Sequence, residues 1–141
     1  MIRIGNMEEA WQVLQAIPEF DQRRSLAQLQ ERLPADALVL IAEANGQAVG
    51  FKLGYRAGDG SLYSWLGGVL PAYRKAGLAQ RLLAAQEAWA KEQGFAAVTV
   101  KSMNRYPAML RLLIRNGYRI RAVEHFGDPA SERIDFIKPL S

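Results

Sequence analysis

Between Leu78 and Trp89 the apolar residues Leu78, Leu82, Ala85 and Trp89 stand at i, i+4, i+7 and i+11. That spacing puts them on one stripe of an α-helix and on no single face of a strand. Gly94, directly after Gln93, supplies a left-handed stop. The segment is the firmest element in the chain, and the others are read outward from it.

Upstream, Leu62 to Leu70 reads as a strand carrying Tyr63, Trp65 and the pair Gly67-Gly68, which suggests a bulge. Before it, Leu38 to Ala42 turns at Asn45-Gly46 into Val49, Phe51, Leu53 and Tyr55, which alternate with smaller or polar residues. This is a hairpin signature. Ile2 to Ile4 is a short first strand. Met7, Ala10, Trp11, Leu14 and Ile17 form a helix stopped by Pro18, and Leu26, Leu29 and Leu33 form a second, closed by Pro34. Downstream come a strand at Ala97 to Lys101, a helix from Met109 to Asn116 ending at Gly117, and a strand from Tyr118 to Val123. Gly127-Asp128-Pro129 then turns into a last strand with Ile134, Phe136 and Ile137. The expected order is strand, two helices, three antiparallel strands, helix, strand, helix, two strands.

A chain of 141 residues, 50% apolar and 23% charged, suits one globular domain over residues 1–141. With no cysteine, thiolate catalysis, disulfides and cysteine metal sites are excluded. The single histidine, His125, leaves too few imidazoles for a zinc site, and for a serine triad unless it is itself the base, so no metal is expected. No apolar run approaches the ~18 residues of a membrane span, and Met1 to Gly5 has no leader pattern, so the expectation is cytoplasmic with no membrane partner. A net charge of +4 attracts anions without choosing between a phosphate-bearing cofactor and nucleic acid.

The chemistry concentrates in Gly68 to Leu83, GVLPAYRKAGLAQRLL, where a strand ends at Pro71 and a helix begins around Gly77. A helix N-terminus offers unpaired N–H groups and partial positive charge, which attract phosphate, and Gly77 and Ala79 put no bulk in the way. Arg74, Lys75 and Arg81 add charge nearby. On spacing alone, the same glycine also serves as a tight strand-to-helix connection. No Gly-Lys-Ser/Thr follows, and the three glycines of a dinucleotide fingerprint are missing.

Arg74-x-x-Gly77-x-Ala79, following Val69-x-Pro71, resembles the acetyl-CoA signature of the GNAT acetyltransferases. The element order resembles that family over essentially the whole length, and Asn104 and Gly117-Tyr118 look like its later Asn and Gly-Phe positions. The resemblance implies an α/β chain of the α+β type: a GNAT fold with a mixed sheet of six to seven strands and about four helices. It implies acetyl-CoA as cosubstrate and N-acetyl transfer to a small-molecule or peptide amine by direct attack in a ternary complex. It further implies that backbone amides from Arg74 through Lys75, Ala76, Gly77 and Leu78 to Ala79 hold the pyrophosphate. Gly67, Gly68 and Val69 would pair with the pantetheine arm between the splayed fourth and fifth strands, with Asn104 beside the thiol end. The resemblance alone suggests a homodimer.

Transfer needs a neutral amine, a polarised carbonyl and a protonated leaving group. A backbone N–H near Val69 is the candidate oxyanion donor. The general acid departs from the family pattern: the position four residues before Gly117, where many relatives carry tyrosine, is Leu113. Tyr106 is the better substitute, since Tyr118 fills the structural Phe position. The strand from Leu62 to Leu70 carries no carboxylate, so a water chain, Glu124 or His125 is left as base. Asn104 lies 13 residues before Gly117, about two more than is common in the family. Trp11, Tyr63 and Trp65 could line an acceptor pocket or simply pack, and Arg119, Arg121 and Arg133 read as one solvated face.

Two competitors stand beside the enzyme reading. One is a CoA-binding sensor or partner module with little turnover. The other is a basic nucleic-acid-binding domain using Arg74, Lys75, Arg81, Lys101, Arg105, Arg111 and Arg115, which is disfavoured because these residues are scattered and no recognition module accompanies them.

Overall fold

The computed structural model describes residues 1–20 and 24–140. The chain runs β1 (Ile2–Ile4), α1 (Met7–Gln15), α2 (Leu26–Arg32), β2 (Leu38–Ala44), β3 (Gln47–Arg56) and β4 (Leu62–Val69). It continues through α3 (Leu78–Glu92), β5 (Ala97–Met103), α4 (Pro107–Arg115), β6 (Arg119–Glu124) and β7 (Arg133–Pro139). The first two helices start on reciprocal caps: the Asn6 side chain accepts from the Glu9 N–H while Glu9 reaches back, and Ser25 and Gln28 do the same. α3 and α4 are both closed by left-handed glycines, Gly94 (φ +88°) and Gly117 (φ +89°). Among the described residues no helix is long and apolar enough to cross a membrane.

The seven strands form one mixed sheet in the order β1-β2-β3-β4-β5-β7-β6. Helices cover both faces. Val39, Ile41, Phe51 and Leu53 point to the face that buries Ala10, Val13, Leu14 and Ile17 of the α1 segment and Leu29 of α2. On the other face Leu40, Ala42, Val49, Leu62, Val98 and Val100 meet Leu78, Leu82 and Leu83 of α3 and Leu112 and Leu113 of α4. β3 is therefore buried on both faces, and the small residues that alternate along it belong to a second interior. An added Cβ on Gly50 would lie 3.3 Å from Leu82, and one on Gly54 would lie 3.0 Å from Gln86 Nε2, so these glycines let α3 lie close.

All strand pairs are antiparallel except β4 with β5, which run parallel and pair only at Leu62↔Val98, Tyr63↔Thr99 and Ser64↔Val100. Beyond Ser64 the two strands part. The bulge expected at Gly67-Gly68 falls earlier: Leu53 faces Leu66 and Gly54 faces Ser64, leaving Trp65 as the extra residue. Gly67 and Gly68 pair regularly with Lys52 and Phe51. Gly68 is small for another reason, since a Cβ there would sit 2.6 Å from Ile17 Cδ1 at the end of the first helical segment.

Candidate active site

Where β4 leaves β5, its backbone changes partners. Leu70 N donates to Val49 O at 2.8 Å, and bonded pairs alternate along an antiparallel ladder. The N–H and C=O of Gly67 and Val69, opposite Lys52 and Gly50, therefore turn away from β3 toward the side that β5 has vacated. Gly68 spends its polar groups on Phe51. Of the three residues named for the pantetheine arm, Gly67 presents its N–H and C=O to the opening and Val69 its N–H, its carbonyl being taken by Arg74, while Gly68 supports packing.

A turn of 3-10 helix at Pro71–Tyr73 carries the chain to the mouth of this opening. Lys75 (φ +70°) and Gly77 (φ +77°) then adopt left-handed conformations that aim the segment into α3. Gly77 is the N-cap of α3 with no side-chain cap. Among the described residues, none but its chain neighbours comes within 4 Å of a Cβ placed there, so its glycine answers to φ. The N–H groups of Lys75, Ala76, Gly77, Leu78, Ala79 and Gln80 donate to nothing among the described residues; the first bonded one is Arg81, to Gly77 O at 3.0 Å. Unpaired donors at a helix N-terminus are a feature that suits an anion. Lys75 and Arg81 are exposed beside them.

Arg74 stands apart from those donors. Its N–H bonds Pro71 O at 3.3 Å and its Nε donates to Val69 O at 3.0 Å. Its two terminal nitrogens clamp Glu19 at 2.5 and 2.8 Å, which holds the Glu19 carboxyl below the usual carboxylate range. The guanidinium braces the loop between the end of β4 and the first helical segment.

On the far rim, Asn104 follows β5 and donates its Nδ2 to Pro129 O at 2.9 Å, tying the β5–α4 turn to the β6–β7 loop. Tyr106 is the half-buried N-cap of α4. Leu113 is fully buried in the core. Tyr118 is 3% exposed and donates to Glu87 at 2.8 Å; burial, reinforced by that carboxylate, pushes its hydroxyl far above the ordinary tyrosine value. Tyr118 is thereby a packing residue.

Glu124 ends β6, the outermost strand, and His125 follows it, with β7 and β5 between β6 and β4. Glu124 pairs with Lys101 at 3.3 Å, and His125, 73% exposed, with Glu132 at 3.1 Å. The two do not form a pair with each other. The aromatic residues do assemble: Tyr55 contacts Tyr63 and Trp65, and Arg32 and Arg24 lie over the Trp65 ring at 4.6 and 5.3 Å. Trp11 donates to Arg24 O at 2.7 Å. Arg121 is held by Asp135 at 3.0 Å and Arg133 lies over Phe126, so the supposed solvated arginine face is partly engaged.

One residue beside the opening was not singled out from the sequence. Lys52 sits on the α3-covered face of β3, 6% exposed, opposite Gly67. Burial pushes its ammonium down to about 8. The only signal in the sequence was a lysine at a position of the β3 alternation that reads as solvent-facing.

A family model described as the acetyltransferase (GNAT) family matches residues 6–118. No curated protein matches the chain. Among solved structures, the ribosomal-protein-S18-alanine N-acetyltransferase from Escherichia coli superposes with a TM-score of 0.86 at 18% identity, over 100% of this chain and 94% of its own. Ard1 from Thermoplasma volcanium gives 0.84 at 17%, over 100% and 97%. The Salmonella typhimurium protein yncA, solved with its cofactor acetyl-CoA, gives 0.78 at 20%, over 100% and 94%.

Proposed function

Because the chain belongs to the acetyltransferase (GNAT) family, we propose that it moves the acetyl group of acetyl-CoA to a primary amine of a small molecule or peptide, by direct attack in a ternary complex. The observation that carries this reading is the row of undonated N–H groups from Lys75 to Gln80 at the mouth of the β4–β5 opening. A pyrophosphate needs several convergent donors, and a pantetheine arm needs a strand edge with free amides; the residues present fit both.

In this reading Lys75, Ala76, Gly77, Leu78 and Ala79 hold the pyrophosphate through their backbone. Val69, whose carbonyl Arg74 already holds, bonds a pantetheine amide through its N–H, and the Gly67 N–H, deeper in the opening near Val69, is the candidate donor to the developing oxyanion. Asn104 and Tyr106 border the arm from the β5 side. Bound acetyl-CoA supplies an activated acyl carbon and a thiol leaving group with a pKa near ~8.5. Arg74 and Gly68 keep the site in shape and touch no ligand. Glu124 and His125 are tied elsewhere, so the proton of the acceptor amine passes to water. A CoA-binding module with little turnover is the competing reading, favoured by Leu113, which fills with core the place where the family often has its acid.

A thermal-shift titration with acetyl-CoA against ATP and NAD tests the reading, since a ligand at ~100 times its dissociation constant adds about 2.7 kcal/mol. A saturable shift for acetyl-CoA alone is expected, and its absence at millimolar concentration sinks the reading. Gly77→Asp should abolish the shift while the protein still folds, because a carboxylate would compete for the anion site; Gly77→Ala carries the same φ strain without the charge and should retain most of it. In the presence of an amine panel, absence of thiol release from a chain that binds acetyl-CoA would favour the module.

A further inference from the structure

Among the described residues, Lys52 is the buried charge that the fold does not explain. Its stem lies against β4, where a Cβ on Gly67 would come within 3.4 Å of both its Cγ and its Nζ. A glycine at 67 thus leaves the room that the lysine fills. The ammonium makes no hydrogen bond among the described residues. Among the described residues the charged group acting on it is Glu87 of α3, already engaged by Lys138 and Tyr118 at 2.8 Å each. A methionine of similar length would fill the same space without the desolvation cost, so packing alone gives no reason for a cation here. Beneath the same helix Gln86, fully buried, leaves both amide atoms without partners, so the interior around β3 carries more polarity than it satisfies.

The location indicates what the charge is for. The β4–β5 pairing ends at Ser64↔Val100, and Gly67 lies three residues beyond it, on the stretch of β4 that leads to the start of α3. An arm anchored by phosphate at α3 and threaded inward presents its reactive end toward that pairing, beside Gly67. Negative charge appears there when the thioester is cleaved, and the tyrosine position that would meet it is Leu113.

Resting on the reading above, we propose that Lys52 is a catalytic residue of the transfer, donating the proton that the departing CoA thiolate needs. The acceptor nitrogen forms the new N–C bond with its lone pair, and the C–S bond breaks with its electrons passing to sulfur. Sulfur takes a proton from Lys52 Nζ, and Lys52 recovers one through water from the acceptor amine. The products are the amide and the free thiol. An ammonium that titrates close to the thiol itself is matched for this exchange.

The test titrates the thiol of CoA bound to the protein by thiolate absorbance in the ultraviolet, with desulfo-CoA complexes as the tyrosine blank; the chain has no cysteine to interfere. In the wild-type complex the thiol pKa should fall below its free value by about one unit, roughly tenfold more thiolate near neutrality. In Lys52→Met, and independently in Lys52→Gln, it should return to the free value or above while CoA still shifts the melting temperature. Equal thiol pKa in wild type and both variants, all binding CoA, overturns the role of Lys52 and leaves the proposed function standing. No CoA-induced shift in the wild type overturns the function and this role together.

Discussion

At the scale of single residues, Lys52 ties stability to pH. Its ammonium titrates at about 8 in the folded protein and near ~10.4 in an unfolded chain. Below pH 8 both states are protonated, and the fold bears the full cost of the buried charge, about 3 kcal/mol. Between pH 8 and roughly 10.4 the unfolded chain holds the proton more tightly than the native one, so the stability of the wild type should rise relative to Lys52→Met across that window. At pH 7 the variant should be the more stable protein. Urea melts of both proteins at pH 7 and pH 10 measure this; an unchanged difference between the two pH values would contradict the burial of the charge. The site lysine was hidden in the sequence because alternation marks only which residues share a face, and β3 has no solvent face.

Among the elements, those set by local rules were legible. The α3 stripe, the Gly94 and Gly117 stops and the Asn45-Gly46 hairpin, with φ of +52° and +77°, follow from short-range geometry, and the structure has them. The left-handed Gly77 at the start of α3 was legible for the same reason, since strand, turn and helix start are contiguous in the chain. What depended on distant packing was misplaced or unseen. The glycine pair of β4 suggested the bulge, but Gly68 is small because the first helical segment presses Ile17 against it, and the bulge belongs to Trp65. The Arg74 side chain read as free positive charge beside the loop, whereas it is tied to Glu19, 55 residues away in sequence. Gly68→Ala should therefore cost about 1 kcal/mol, at the low end of overpacking, because only the Ile17 terminus has to yield. Chemical denaturation would show it; a neutral substitution would mean that this segment sits less tightly on the sheet than described.

Over the whole molecule the sheet is two leaves, β1 to β4 and β5-β7-β6, joined by three residue pairs and by what bridges α3 to its surroundings. Gln80 and Asn116 exchange two 2.7 Å hydrogen bonds between α3 and α4, and Glu87 reaches Tyr118 and Lys138. Hydrogen exchange should follow this division: the amides of Lys75 to Gln80, Gly67 and Val69 should exchange fast in the free protein and become protected on adding acetyl-CoA, while those of Leu62 to Ser64 change little. Uniform protection across β4 without ligand would contradict the parting. The parting has a further consequence. A strand with a bare row of donors and acceptors is an invitation to any extended peptide, including another copy's, and proteins usually blunt such edges. This one lies inside the sheet, where in the proposed function the arm of acetyl-CoA would cover it. On the function proposed above, loading the cosubstrate would withdraw that template as well as supply the acyl group.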